Sequence, residues 1–245
     1  MGRFFEARKA TIMARSKRLS KAFTRAGREI VIAVKAGGPS EDSNPALRRA
    51  IQNARAVNMP KDKILGAIKR ASGADTESYA EVLYEGYAPH GVAVLVVTAT
   101  DNTTRTVANV RMHFNKGGGN LGNNGSVAFM FDRMGVFRLA PDTLSAKGLD
   151  RDDFLLEMID HGLETISDEV DDDDNPIVVL RGAFSEFGSL QQGLEEMDVP
   201  VVSSGNEFVP QTTTELDDDQ IQDVIKLLDR LEADDDVQYV YTNLS

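Results

Sequence analysis

Apolar residues recur at three- and four-residue steps through the first third of the chain, a spacing that places them on one face of a helix. The stripes are Phe23, Ala26, Ile30, Ala33 and Val34, then Leu47, Ala50, Ile51 and Ala54, then Ile64, Ala67, Ile68 and Ala71. Asn44 and Pro45 suit the N-cap and first position of the second helix. The pattern predicts a small three-helix bundle. The basic stretch 3–21 is only weakly periodic, which leaves a helix or a mobile arm open.

After residue 75 the spacing of the apolar residues changes to one that is typical of β-strands. The predicted elements are strands at 81–87, 92–98 and 127–131 and a helix at 103–116 that Asp101 can cap. A loop rich in glycine and asparagine, 117–125, connects this helix to the last of these strands. The order is a leading strand followed by β-α-β.

The following stretch contains a complete split β-α-β unit. Its elements are strands at 136–139, 164–170, 177–180 and 201–203, and helices at 152–161 and 185–197. The tail then adds a strand at 207–209, a helix at 217–232 and a strand at 237–241. Joined to 91–131, the tail would complete a second βαββαβ unit.

The predicted fold class is therefore mixed α and β, an N-terminal three-helix bundle with two ferredoxin-like βαββαβ domains, one inserted in the other. The domains are 1–75, a basic helical domain with an N-terminal arm; 76–134 with 206–245, a discontinuous middle domain; and 135–205, an inserted acidic domain. One continuous sheet built from both α/β halves is the alternative.

Charge is distributed unevenly along the 245 residues. The chain carries 27 Lys and Arg against 39 Asp and Glu, a net charge of −12. Residues 1–73 have a net charge of +12, and the remaining residues, 74–245, have −24. A basic head on an acidic body favours a polyanionic partner for the head, with a solvated basic surface as the alternative.

The cations expected to contact nucleic-acid phosphates are those of the head. They are Arg3, Arg8, Lys9, Arg15, Lys17, Arg18, Lys21, Arg25, Arg28, Arg48, Arg49, Arg55, Lys61, Lys63, Lys69 and Arg70. Lysine and arginine neutralise phosphates and release counterions, and arginine can also bind them bidentately. Phe4 and Phe5 could stack on exposed bases, although packing of the arm on the body is the favoured interpretation.

Residue types that would indicate other chemistry are missing or wrongly spaced. The chain has no cysteine, which excludes disulfides, thiol catalysis and cysteine-ligated metals and suits a cytoplasmic location. No apolar run approaches the length of a membrane helix, so no membrane partner is expected. The loop 117–125 fits no phosphate-binding motif and the acidic run 168–174 fits no EF-hand. We therefore predict no catalytic residues, no metal and no cofactor.

Four segments together resemble the YebC/PmpR family of bacterial proteins. They are NPALRRAIQNARAVNMPKDK from Asn44, YEGYAPHGVAVL from Tyr84, DNTTRTVANVR from Asp101 and GNLGNNGSVAFMF from Gly119. The resemblance implies a three-domain cytoplasmic protein without enzyme activity. It also implies one of two roles, a DNA-binding transcriptional regulator or a translation factor that binds ribosomal RNA and assists synthesis of proline-rich stretches. The oligomeric state is not predicted.

Overall fold

The computed structural model describes residues 3–73, 78–171 and 174–245, with side chains from residue 18 onward. Three helices come first, α1 (Arg3–Gly37), α2 (Pro45–Ala56) and α3 (Lys61–Ala71). The stretch 3–21 is thus part of a helix. Among the described helices, none combines the length and apolar character needed to cross a bilayer.

The three helices pack through the apolar stripes expected from their spacing. Ile30, Leu47 and Ile51 are almost completely buried in their common core. Asn44 caps α2 as predicted, because its side-chain oxygen accepts a hydrogen bond from the Leu47 N–H at 3.0 Å. Its Nδ2 also donates to the Ala33 and Gly38 carbonyls, both at 2.8 Å, so one buried asparagine connects the end of α1 to the start of α2.

Strands and helices alternate along the rest of the chain. In order they are β1 (Ala80–Tyr87), β2 (Ala93–Thr100), α4 (Thr103–Lys116), β3 (Asn120–Leu121), β4 (Phe131–Leu139), α5 (Thr143–Ala146), α6 (Arg151–Ile159), β5 (Thr165–Val170), β6 (Pro176–Ala183), α7 (Phe187–Glu196), β7 (Ser203–Pro210), α8 (Asp218–Ala233) and β8 (Val237–Thr242). They form two four-stranded sheets, in the orders β3-β1-β2-β8 and β5-β6-β4-β7.

The second sheet has the ferredoxin-like arrangement that the sequence predicted. Its strands follow the chain order β4, β5, β6, β7, and β4 lies between β6 and β7, antiparallel to both. Phe137 and Phe187 stack at 4.6 Å in its core. Gly135 lies beneath that ring, and a Cβ there would lie 3.0 Å from Phe187 Cδ2, so the ring would have to shift to admit a larger residue.

The first sheet differs from the prediction in two strands. Residues 127–131 were expected to form one of them, but Phe131 begins β4 of the second sheet, and β3 lies at that edge of the first sheet instead. Residues 207–209 were expected to supply it with a strand, but this was wrong, since they belong to β7. The separate strands at 201–203 and 207–209 are one strand that pairs with β4 along its whole length. The leading strand, β1, lies beside β2, in the place that the third strand of a βαββαβ unit would occupy, and so it completes this sheet.

Two local predictions were also wrong. Residues 128–130 form a 3₁₀ turn and the strand begins at Phe131, because hydrogen bonds to Glu85 curl the preceding backbone. Asn102 and not Asp101 caps α4, since its Oδ1 accepts the Arg105 N–H at 3.0 Å. The Asp101 carboxylate is bound instead by the Arg105 guanidinium, at 2.7 Å.

The described residues form two compact units. The first contains 3–73, 78–83, 96–113 and 228–240, and the second contains 84–95, 114–171, 174–227 and 241–245. The three-domain division at 1–75, 76–134 with 206–245, and 135–205 stays a prediction.

Candidate nucleic-acid interface

Exposed cations cover the outer sides of α2 and α3. The buried stripes of both helices face the bundle core, which leaves the remaining positions to solvent. Arg55 is exposed at the end of α2, and Lys61 and Lys69, eight residues apart, are exposed along one side of α3. Rigid helices thus hold these charges where a phosphate backbone can reach them.

Two further cations of this surface also support the fold. Arg48 is exposed, and its Nη1 donates to the carbonyls of Glu41 at 2.8 Å and Asp42 at 3.1 Å, bracing the turn between α1 and α2. The ammonium of Lys63 lies 5.2 Å from the centre of the Phe23 ring, a cation–π distance. Arg70 and Arg18 are exposed, and Arg49 is half-buried.

Three of the proposed phosphate-binding cations point into the first unit. Arg28 donates to the carbonyls of Ala99 and Asp235 and to the Asp236 carboxylate. Arg25 lies over the Tyr239 ring, 5.4 Å from its centre. Burial, reinforced by the charge of Arg25, lowers the pKa of Lys21. The structure therefore gives Arg25 and Arg28 contacts within the protein that the sequence did not indicate, and it partly buries Lys21.

The proposed contacts of the N-terminal arm lie outside the part of the chain described with side chains. This applies to Arg3, Arg8, Lys9, Arg15 and Lys17 and to the ring pair Phe4 and Phe5. The backbone of 3–17 is helical, and its side-chain contacts remain predictions.

A buried carboxylate organises the first unit. Asp236 is 4% exposed and accepts hydrogen bonds from Arg105 at 2.9 Å, Thr106 at 2.8 Å and Arg28 at 3.2 Å. Burial by itself would raise the pKa of Asp236. The hydrogen bonds from Arg105 and Thr106, with the charges of Arg105 and Arg28, outweigh it and hold the pKa below its ordinary value. Asp236 therefore joins α1, α4 and the start of β8 through charged hydrogen bonds.

An open cleft of about 600 Å³ lies beside this cluster. Arg28, Arg105, Asn109, Met112 and His113 line it together with residues 233–236. Inside it His113 pairs with Asp234 at 3.0 Å. Cations and carboxylates neutralise one another here, so the cleft does not extend the positive surface of the helices.

A second buried carboxylate organises the loop of the second unit. Glu85 is 5% exposed, and its carboxylate accepts backbone N–H groups of Gly125 at 2.6 Å, Val127 at 2.9 Å and Ala128 at 2.8 Å. Burial would raise the pKa of Glu85, but these N–H donors bring it below its ordinary value. The glycine-rich loop is consequently a fixed structure.

Replacing this carboxylate should loosen the loop. Glu85→Gln removes the charge and one acceptor oxygen, and an N–H left without an acceptor in a buried site costs about 1–3 kcal/mol. We expect a fall of that size in the free energy of unfolding by urea, with faster amide exchange at Gly125 and Val127. Glu81→Gln, on the exposed part of the same strand, is the control and should change neither quantity. Unchanged exchange at Gly125 in Glu85→Gln would refute the role given to Glu85.

Among the described residues, no group of three or more His, Asp or Glu side chains is arranged to hold a metal ion. His90 and His113 each pair with a single aspartate. In the acidic run 168–174, Asp168 is paired with Arg151 at 2.6 Å, and residues 172–173 lie outside the described part.

Two known domain families match almost the whole chain. Residues 3–74 match the TACO1/YebC protein N-terminal domain, and residues 79–244 match the TACO1/YebC second and third domain. The chain belongs to the TACO1/YebC family. The resemblance noticed in the sequence is thus confirmed over almost the whole chain.

Relatives within the TACO1/YebC family match this chain from end to end. Proteins of Anaeromyxobacter dehalogenans and Myxococcus xanthus are each 57% identical over 245 residues, covering 100% of both chains. A protein of Flavobacterium johnsoniae is 51% identical over 98% of both chains. All three are named probable transcriptional regulatory protein.

The crystal structure of a conserved hypothetical protein from Aquifex aeolicus has the same fold. It superposes with a TM-score of 0.76 and is 37% identical, covering 92% of this chain and 90% of that one. The family is thus one of regulatory proteins with a helical N-terminal part followed by mixed α and β structure.

Proposed function

We propose that this chain is a non-enzymatic regulator of gene expression that binds DNA through the exposed cations of α2 and α3. The observation that carries the proposal is the surface formed by Arg55, Lys61 and Lys69 together with the exposed guanidinium of Arg48. The names of the relatives, probable transcriptional regulatory proteins, support DNA as the polymer. In this role the protein would act in the cytoplasm.

The charge distribution supports binding by the head in particular. Residues 1–73 carry +12 and residues 74–245 carry −24. An acidic body repels a polyanion and an extended basic surface attracts it, so the encounter is steered to the head. Phosphate contacts of this kind hold a protein on nucleic acid without reading its sequence.

A translation factor bound to ribosomal RNA is the second candidate. It is supported by the exposed residues of α3, where Lys61 and Lys69 lie on either side of the exposed Leu65. Lysine ammonium groups act as point charges toward phosphates, and this surface offers no evident set of base-reading side chains. Such a surface suits a large folded RNA as well as a duplex.

Crosslinking in living cells separates the two candidates. The full-length tagged chain is crosslinked, purified under denaturing conditions, and the attached polymer is sequenced. Enrichment of promoter DNA that depends on Arg55 and Lys69 is the expected result. Enrichment of ribosomal RNA would replace the first candidate by the second, and recovery of neither polymer would refute nucleic-acid binding.

A further inference from the structure

Phe129 is held in solvent by the backbone around it. Its side chain is 69% exposed, whereas Val127 and Phe131 on either side are 0% and 6% exposed. The 3₁₀ turn at Ala128–Met130 fixes this alternation, and Met130 donates to the Val127 carbonyl at 2.9 Å. Because Val127 and Phe131 are both buried in the core, the Phe129 side chain cannot turn inward without unfolding the turn.

The surrounding loop is built to be rigid. We call residues 117–131 together with Tyr87 the aromatic loop. Besides the three N–H groups held by Glu85, the Tyr87 hydroxyl donates to the Ser126 carbonyl at 3.1 Å. Gly119 allows close approach to β1, because a Cβ there would lie 2.4 Å from the Tyr87 carbonyl oxygen. Gly122 allows close packing within the loop, because a Cβ there would lie 2.4 Å from Ser126 Oγ. A rigid exposed ring loses little conformational entropy on binding.

The chemistry of this loop is unusual for so charged a protein. Residues 117–131 contain no charged side chain, although 27% of the whole chain is charged. Asn120, Asn123 and Asn124 are exposed beside the aromatic residues, and Tyr87 is 36% exposed. Amides donate and accept hydrogen bonds at once, as the edges of nucleobases do, and an aromatic face stacks on any base.

We propose that the aromatic loop is a second nucleic-acid site that stacks an unpaired base on Phe129. This proposal rests on the proposed function and adds a base contact that α2 and α3 do not supply. A neutral planar ligand with polar edges fits a ring flanked by amides and needs no phosphate contact on this acidic unit.

Binding of short oligonucleotides to the full-length chain tests this site. The probes are a labelled single strand of about 12 adenylates and a labelled duplex DNA, each titrated at about 0.1 M salt. Phe129→Ala should weaken single-strand binding about 5- to 150-fold, the effect of losing one stacked base. Duplex binding and the salt dependence of both probes should stay as in the parent, because no charge changes and paired bases are not available for stacking.

Three variants make the outcome specific. Phe129→Trp keeps an aromatic face and should bind at least as tightly as the parent, whereas Phe129→Leu keeps the apolar surface and should lose binding. Leu156→Ala removes a side chain that is 66% exposed on α6 and should have no effect. If Phe129→Leu binds the single strand as tightly as Phe129→Trp, an aromatic face is not needed for binding and the base site is refuted.

Failure of this proposal can be told apart from failure of the proposed function. If Phe129→Ala binds both probes like the parent while Arg55→Glu with Lys69→Glu weakens both, the base site is wrong and the basic surface stands. If the parent binds neither probe, both proposals are wrong.

Discussion

Asp236→Ala should lower the free energy of unfolding by about 3–5 kcal/mol, the range found when one partner of a buried charged cluster is removed. Asp236 is the common acceptor of Arg28, Arg105 and Thr106, and its own exposure is only 4%. Without it, the guanidinium of Arg28 would stay largely buried with only carbonyl partners. Urea unfolding followed by circular dichroism measures the change.

Asp235→Ala is the matched control, since this neighbouring carboxylate is exposed and should change stability by no more than about 0.5 kcal/mol. A loss below about 1 kcal/mol in Asp236→Ala would contradict the structural role of the cluster.

The same cluster predicts a dependence of stability on pH. The pKa of Asp236 is lower in the folded chain than its ordinary value of about 3.9. Its contribution to stability is therefore complete above about pH 4 and disappears as the pH falls through the lower, folded pKa. The Asp236→Asn variant has no carboxylate to protonate at this position. Its free energy of unfolding should therefore fall less steeply below pH 4 than that of the parent. Parallel curves for the two proteins would contradict this assignment.

Reversing two exposed cations on the bundle should weaken nucleic-acid binding about 10- to 100-fold at about 0.1 M salt. Each phosphate contact adds about 0.9 to the slope of log affinity against log salt on duplex DNA, which is nearly a factor of ten at this salt concentration. Arg55→Glu with Lys69→Glu is preferred to a variant at Arg48, because Arg48 also holds the turn at Glu41 and Asp42. Affinity for a labelled duplex is measured by fluorescence anisotropy.

The control for this variant changes the total charge by the same amount elsewhere. Arg111 and Lys116 are exposed on α4, again one arginine and one lysine. Their double replacement by glutamate should leave most of the affinity intact. Equal losses in the two double variants would mean that net charge, and not the surface of α2 and α3, governs binding.

Local signals in the sequence were enough for most of the helices and for the strand order of the second sheet. They left 3–21 open between helix and arm, and they divided β7 between two sheets. Asn44 followed by Pro45 indicates the start of a helix, and Asn44 caps α2 in the structure. The second sheet is formed by strands that follow one another along the chain, so the order of apolar segments is sufficient to describe it. The first sheet joins 80–87 to 237–242, and no local pattern indicates that the leading strand fills its third position.

The buried carboxylates could not be predicted for the same reason. Asp236 lies 208 residues from Arg28 and 131 residues from Arg105 along the chain, and each looks like an ordinary surface charge in its own segment. Glu85 lies in an alternating strand, and only the fold brings it under Gly125 and Val127. The sequence therefore indicates only a cation at Arg28, and its hydrogen bonds to Ala99, Asp235 and Asp236 are seen only in the structure.

The salt dependence of duplex binding measures whether the exposed cations of α2 and α3 contact phosphates. Affinity of the parent and of Arg55→Glu with Lys69→Glu for one duplex is measured across a range of salt concentrations, and log affinity is plotted against log salt. We expect log affinity to fall linearly for the parent, with a slope shallower by about 1.8 in the double variant, since two phosphate contacts are lost. Identical slopes for the two proteins would show that the exposed cations of α2 and α3 do not contact phosphates, and the claim would be wrong.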